Sequence, residues 1–177
     1  MPIRSKDILY SKGKNDERYT PAYVIEPLIR YIPPYATIWM PFDREESQFV
    51  KVFRERGYKV IRSHIDDGQD FFTYEPEEHW DFMVSNPPFS NKKQIFERAL
   101  SFNKPICLLM TLTWLNDKAP YHVFKDHKLQ FIFFDKRTEF FEPDGGDRYK
   151  QAGKRITFNS AYYCNGWLKN DVNVEFL

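Results

Sequence analysis

The sequence predicts an α/β fold with a mostly parallel sheet that carries helices on both faces. Short β-type runs alternate with amphipathic helical runs along the 177 residues, the order that produces β-α-β units. The run at 104–110 (KPICLLM) is continuously apolar, as strands buried on both faces are. The last two predicted strands, 128–134 and 156–168, have no helix between them, so we expect an antiparallel hairpin at the C-terminal edge of the sheet.

The first predicted helix spans residues 20–32 (TPAYVIEPLIRYI) and precedes the first strand. Thr20 is a suitable N-cap, and Pro21 suits the first helical position. Pro27 is incompatible with one regular helix, so the pattern predicts a kink or two short pieces. The first strand is then predicted at 36–40 (ATIWM).

The clearest helical pattern covers residues 44–57 (REESQFVKVFRERG). Asp43 and Glu46 suit a capping box at its start, and Gly57 suits its end. A second strand follows at 58–65 (YKVIRSHI).

The remaining elements continue the same alternation toward the C-terminus. They are a turn-rich loop at 66–72, a strand at 80–85, a helix at 91–102, the apolar strand at 104–110, a helix at 116–126 and the two closing strands. The segment 142–155 (EPDGGDRYKQAGKR) is polar and rich in glycine, so we expect a mobile loop there.

Composition limits the class of protein and its compartment. Lys and Arg total 26 and Asp and Glu total 25, a balance that gives no general attraction to nucleic acid. Cys107 and Cys164 form no CxxC pair and are predicted to be buried, reduced thiols, and the four histidines lack metal-ligand spacing, so no metal site is predicted. The N-terminus has no apolar signal core, so we expect a cytoplasmic protein.

The tetrapeptide Asn86-Pro87-Pro88-Phe89 stands between a predicted strand and a predicted helix. Two adjacent prolines fit the interior of neither element, so they predict a rigid corner. The Asn86 side-chain carbonyl and the Pro87 main-chain carbonyl can accept hydrogen bonds from both N–H groups of a planar exocyclic amine, which localises the nitrogen lone pair. Phe89 offers an apolar face on which a base can stack. The alternative is a purely structural turn.

Residues 19–110 resemble the core of S-adenosylmethionine-dependent amino-methyltransferases, and most of all the N6-adenine DNA methyltransferases. The resemblance rests on Asn86–Phe89, which matches the (D/N/S)-P-P-(Y/F/W) motif, on Tyr19-Thr20-Pro21, and on the stretch IDDGQDFF. The chain also resembles small phage-encoded methyltransferase-like proteins with PFD, SNPPFS and FNSAYYC stretches.

This resemblance implies a Rossmann-like class I methyltransferase fold with a seven-stranded-type sheet, as one domain over residues 1–177. It also implies S-adenosylmethionine as cofactor and methyl transfer to N6 of adenine in DNA. The catalytic residues would be Asn86, Pro87, Pro88 and Phe89.

The resemblance extends to the cofactor side. Asp66 ends the second strand, where Rossmann-like proteins place an acid for the ribose hydroxyls, and Asp67 is an adjacent substitute. Asp70 resembles the residue that takes the adenine amino group, with Phe71 beside the ring; the alternative is a solvated Asp-Gly turn. The methionine part would be covered by Tyr19, Thr20 and Pro21, which otherwise only cap a helix.

The loop after the first strand departs from the family pattern. Pro41 and Phe42 match it, but Met40 stands where an acid is expected and no glycine follows. Asp43 can take over the role of the missing acid, or it can be a plain N-cap. The acids at this helix start would repel a pyrophosphate, which argues against NAD or ATP and less against S-adenosylmethionine.

The chain has little room for a separate target-recognition domain, so substrate contacts are expected from loops. The candidates are Lys92, Lys93, Trp114, Arg148, Lys150, Lys154 and Arg155. The basic residues can equally form a solvated face, and Trp114 can be a stacking surface or core. Two other functions stay open: methylation of RNA adenine or of a protein glutamine amide, and a degenerate methyltransferase fold that serves as a binding or decoy module. DNA is the favoured partner, and the oligomeric state is left open.

Overall fold

The computed structural model describes residues 19–141 and 155–177. Its α-helices are α1 (Ala22–Ile25), α2 (Gln48–Glu55), α3 (Lys92–Ser101) and α4 (Lys118–Phe124). Short 3-10 segments lie at Glu26–Arg30, Ile65–Asp67 and Leu112–Asn116. The strands are β1 (Thr37–Met40), β2 (Lys59–Arg62), β3 (Phe82–Ser85), β4 (Ile106–Thr111), β5 (Leu129–Phe134), β6 (Thr138–Phe141), β7 (Arg155–Phe158), β8 (Ser160–Asn165) and β9 (Val172–Glu175).

The strands form a seven-stranded mixed sheet in the order β2-β1-β3-β4-β8-β5-β9, and β6 and β7 form a separate antiparallel hairpin. Strands β2, β1, β3 and β4 pair in parallel, β8 is antiparallel to both β4 and β5, and β9 is parallel to β5. The predicted Rossmann-like α/β fold with a mostly parallel sheet is therefore confirmed.

The predicted antiparallel edge is confirmed only in its pairing. Strand β8 pairs antiparallel with β5 but lies inside the sheet, and β9 forms the edge. Nearly every residue of β8 is buried, as an interior strand requires, whereas β9 alternates between exposed and more buried positions. The sequence analysis did not predict β6 or β9.

The first helix is divided as its proline predicts, but its cap differs from the prediction. Pro27 lies in the first turn of the 3-10 segment that continues from α1. The N-cap of α1 is Pro21, and the Pro21 carbonyl accepts a hydrogen bond from the Val24 N–H. Thr20 is therefore not the cap, and its hydroxyl is engaged elsewhere.

Helix α2 begins later than predicted and has a different cap. Its N-cap is Ser47, whose Oγ accepts a hydrogen bond from the Phe49 N–H at 3.2 Å. The predicted capping box of Asp43 and Glu46 is thus wrong, since the chain makes another turn before the helix starts. Gly57 ends the helix as predicted, with φ of +85°.

Aromatic side chains dominate the core on both faces of the sheet. One cluster joins Trp39, Phe71, Trp80 and Phe102, and another joins Phe96, Trp114, Phe124 and Tyr163. Cys107 and Cys164 are buried free thiols and are direct partners in the β4/β8 register. No helix in the described part of the chain has the length and apolar character that crossing a bilayer requires.

Candidate active site

A cavity of about 910 Å³ lies beyond the carboxyl ends of β1, β2 and β3. Cavities of this size hold small organic ligands, and this edge is where ligands bind in open α/β sheets. Nearly all of the predicted catalytic and cofactor-binding residues line it: Tyr19, Thr20, Pro41, Phe42, Asp43, Asp66, Asp70, Phe71, Asn86, Pro87, Pro88 and Phe89. Pro21 does not line it. Residues that are up to 70 positions apart in sequence thus meet in one space.

Asn86, at the proline corner, lines this cavity, and its Oδ1 is buried from solvent. The Asn86 Nδ2 donates a hydrogen bond to the Thr20 Oγ1 at 3.1 Å, and Thr20 is buried. Because a carboxamide has one donor end and one acceptor end, this bond determines where the Asn86 Oδ1 points. Thr20 therefore connects the segment before α1 to the corner after β3.

Phe89 is held from its other side by the β6–β7 hairpin. Its ring centroid lies 5.3 Å from that of Phe158, and the two planes meet at 77°. Phe158 in turn packs edge-on against Phe140 at 5.7 Å. This contact leaves the Phe89 ring in a defined orientation at the cavity wall.

Asp43 occupies the floor between β1 and β3. It is 6% exposed, and its carboxylate accepts hydrogen bonds from the Ser47 and Ser85 hydroxyls. Burial raises the pKa of Asp43 to about 6, although both hydroxyl donors act in the opposite direction. Among the described residues, Asp43 has no cationic partner.

The loop after β2 supplies the predicted adenosine side. Asp66 is largely exposed and forms an ion pair with Arg44 at 2.5 Å, whereas Asp67 turns away to Arg62. Asp70 Oδ1 accepts a hydrogen bond from the Phe72 N–H at 3.0 Å, so one of its two oxygens holds the turn.

Phe71 is buried against other rings at the wall of the cavity. Its centroid lies 4.7 Å from Phe42 and 5.8 Å from Trp39. Arg98 fixes this loop from α3, because its guanidinium donates to the main-chain carbonyls of Phe71 and Tyr74.

Several cavity residues were not among the predicted site residues. They include Arg44, Ser47, Gln48, His64, Ile65 and Phe72. Ile65 is 64% exposed and Phe72 is 41% exposed, so two large apolar side chains face solvent at the cavity. Their position on both sides of the DDGQD turn was the signal that could have found them.

The candidate substrate contacts that the structure describes in full do not line the cavity. Trp114 is 2% exposed and packs against Phe96 at 5.0 Å, so it belongs to the core and is not a stacking surface. Lys92 is buried, Lys93 is paired with Glu97 at 3.6 Å, and neither lines the cavity.

The remaining predicted contacts can be placed only in part. Arg148, Lys150 and Lys154 lie outside the described residues, and Arg155 is described only as the first residue of β7. The described residues contain no cluster of His, Cys, Asp or Glu side chains suited to a metal ion.

No protein-family model matches the chain, and no curated protein does. Among solved structures, the chain is similar to a Listeria monocytogenes protein provisionally assigned as a class I S-adenosylmethionine-dependent methyltransferase, in a crystal structure at 2.20 Å resolution. The two chains are 11% identical and superpose with a TM-score of 0.47, over 97% of this chain and 69% of the other. A functional conclusion therefore depends on the residues and geometry of the cavity.

Proposed function

We propose that this protein is an S-adenosylmethionine-dependent methyltransferase that acts on an exocyclic planar amine, with N6 of adenine in DNA as the first candidate. The observation that carries the proposal is the Asn86–Phe89 corner, which lines the same cavity of about 910 Å³ as the acids after β1 and β2. The resemblance to phage-encoded proteins further suggests an enzyme that works in the cytoplasm of an infected bacterial cell.

The residues of the cavity fit a cationic nucleoside better than a phosphorylated one. Asp43 is a buried carboxylate, and a cation placed beside it gains most in such a poorly solvated position. No glycine follows β1, so the backbone offers no close cradle for a pyrophosphate. S-adenosylmethionine carries no phosphate and bears an ammonium and a sulfonium charge.

Each part of that cofactor has a candidate partner. Asp66 would hold the ribose hydroxyls, and the free oxygen of Asp70 would accept from the adenine amino group. Phe71 and the exposed Phe72 and Ile65 would cover the adenine ring. When bound, S-adenosylmethionine supplies an electrophilic methyl group on positively charged sulfur.

The corner prepares the nitrogen that receives the methyl group. The Asn86 Oδ1, which is buried in the absence of substrate, and the Pro87 carbonyl would accept hydrogen bonds from the two N–H groups of the amine, which would draw the nitrogen lone pair out of conjugation. Both acceptors are restricted before the substrate arrives, Asn86 by its hydrogen bond to Thr20 and the Pro87 carbonyl by the following Pro88. Phe89 lines the cavity and is 4% exposed, and it would contact the base when the base enters. No general base is required, since the methylated ammonium readily loses its proton to water.

The first experiment separates cofactor binding from transfer. Calorimetry should show binding of S-adenosylmethionine, and tritium from its methyl group should appear in unmethylated DNA but not in RNA or protein. N86A should abolish transfer while the cofactor affinity is retained; Q48A, at another side-chain amide that lines the cavity, is the matched control. Transfer to RNA or to protein would replace DNA by that substrate, and transfer by N86A at the wild-type rate would contradict the proposed role of the corner.

A second candidate function is a degenerate methyltransferase fold that binds a partner or acts as a decoy. The observation that favours it is the glycine-free loop after β1, which departs from the family at the methionine end of the cofactor site. Under this alternative, calorimetry with S-adenosylmethionine gives no heat and no substrate pool accepts a methyl group.

A further inference from the structure

A second cavity, of about 440 Å³, opens on the same edge of the sheet as the candidate active site. Its walls come from the 3-10 segment after β4, the turn after β5 and the start of β8. Because β8 runs antiparallel to β4 and β5, its first residues lie at the carboxyl ends of those two strands. Among the residues that the structure describes, none of the predicted site residues lines this cavity.

The wall of this cavity combines hydrogen-bond donors with exposed ring surface. Asn116 and Asn159 contribute side-chain amides, and Phe133 and Phe134 contribute partly exposed rings. Such a set of neutral donors and rings suits a base and its sugar more than it suits an isolated ion.

The charge of the cavity comes from the turn after β5. The Asp135 carboxylate accepts a hydrogen bond from the Leu177 N–H at 2.9 Å, and the Lys136 ammonium donates to the Leu177 carbonyl. Arg137 is exposed and forms no ion pair within the described part of the chain. A guanidinium beside neutral donors is suited to a singly charged phosphodiester.

The two cavities are close enough to be occupied by one nucleic-acid strand. The catalytic corner follows β3, and the second cavity is centred on β8, two strands away in the sheet. At a spacing of about 4.8 Å between neighbouring strands, this separation is roughly 10 Å. Roughly 10 Å corresponds to about three nucleotides in a stacked strand with a 3.4 Å rise, and to fewer in an extended strand.

We propose that the second cavity binds the phosphodiester and a base next to the target nucleotide of a single-stranded nucleic acid, with Arg137 on the phosphate. The identity of the strand rests on the proposed function. The β6–β7 hairpin starts directly after Arg137 and ends at Phe158, which packs on Phe89. One element thus connects the phosphate contact to the ring of the catalytic corner.

The test measures binding of short, labelled, adenine-containing single strands of DNA and of RNA by fluorescence anisotropy at several salt concentrations. R137Q removes the proposed phosphate contact. R56Q is the matched control, since Arg56 is an exposed arginine at the C-terminal end of α2, which points to the opposite edge of the sheet. For R137Q we expect the slope of log affinity against log salt to fall by about 0.7, and the affinity to fall about fivefold at 0.1 M salt. R56Q should bind as the wild type does, and N116A combined with N159A should weaken binding without changing the slope.

The outcomes separate this inference from the proposed function. An unchanged salt slope in R137Q, or a wild type that binds neither strand, overturns the second cavity as a strand site even if methyl transfer is observed. Binding that depends on Arg137 in a protein that transfers no methyl group overturns the proposed function and supports the strand site. A preference between the DNA and RNA probes identifies which strand the cavity accepts. The urea unfolding midpoint of R137Q should match that of the wild type, which shows that the variant is folded whether or not the protein binds S-adenosylmethionine.

Discussion

Replacing Asp43 by asparagine should stabilise the folded protein near neutral pH and weaken the binding of S-adenosylmethionine. Asp43 is buried, and its pKa is raised from 3.8 to about 6 because loss of hydration outweighs the hydrogen bonds from Ser47 and Ser85. The Asp43 carboxyl group therefore binds a proton more tightly in the folded protein than in the unfolded chain. The ionised carboxylate lowers stability fully above about pH 6, and this penalty fades as the pH falls toward 3.8.

The size of the effect follows from the same two pKa values. At 1.36 kcal/mol per pKa unit, the difference between 3.8 and about 6 corresponds to about 3 kcal/mol. Asparagine keeps an acceptor for the serines but makes weaker hydrogen bonds than a carboxylate, which offsets part of this gain. We therefore expect D43N to raise the unfolding free energy by about 1–3 kcal/mol near pH 7.5 and by about a third of that near pH 4.5.

Urea unfolding at both pH values measures this difference, provided that the denaturant slope is unchanged. E55Q is the matched control, because Glu55 is an exposed acid on α2 and its neutralisation should change stability little. Calorimetry on the same samples should show weaker cofactor binding by D43N only. If D43N is less stable than the wild type near pH 7.5, or if its advantage is the same at both pH values, the reasoning from the buried charge is refuted.

Three further substitutions probe the packing around the cavity. T20V should lower the methyl-transfer rate by about 10- to 100-fold with unchanged cofactor affinity, because the Thr20 hydroxyl orients the Asn86 side chain. T20S keeps the hydroxyl and should retain activity. A loss of cofactor affinity in T20V would instead place Thr20 in the cofactor site. R98L should lower the unfolding free energy measured in urea by about 1–3 kcal/mol, because the Phe71 carbonyl loses its hydrogen-bond donor. It should also weaken cofactor binding. An affinity for S-adenosylmethionine equal to that of the wild type would show that the loop after β2 keeps its conformation without Arg98. W114F should leave methyl transfer intact, because Trp114 is a core residue, and a selective loss of transfer without loss of stability would restore it as a stacking surface.

The parts of the site that follow strand ends could be predicted from the sequence. Asn86 comes directly after β3, and Asp66 follows the end of β2 after three residues. The carboxyl ends of these parallel strands meet at one edge of the sheet whatever the detailed packing. The environment of Asp43 could not be predicted in this way. Whether Asp43 caps α2 or is buried before it depends only on the residue at which α2 begins. Serine and aspartate are equally suitable N-caps, so the sequence does not show that Ser47 is the cap.

Side chains in long-range contacts were the least predictable. Trp114 follows a strand end like the site residues, yet three rings from other elements cover it. The Phe89–Phe158 contact joins a motif to a hairpin whose first strand has four residues and no clear alternation. Both outcomes depend on non-local packing, which residue type and spacing along the chain do not encode.

The buried carboxylate of Asp43, which lowers the stability of the folded protein, favours a ligand-binding cavity over a decoy surface. A module that only presents a surface to a partner has no need for an ionised side chain in its interior, and neutral mutations would readily remove one that lowers stability. This chain nevertheless keeps Asp43 buried, and Ser85, at the end of that hydrogen-bond network, directly precedes Asn86. A cation in the cavity would convert the unfavourable charge into a favourable pair, so the stability lost in the empty protein should be regained on binding. D43N tests this step: if D43N binds S-adenosylmethionine as tightly as the wild type, Asp43 does not meet the charge of the cofactor and the argument from its burial fails. The degenerate fold is supported instead if the wild type itself gives no heat with S-adenosylmethionine.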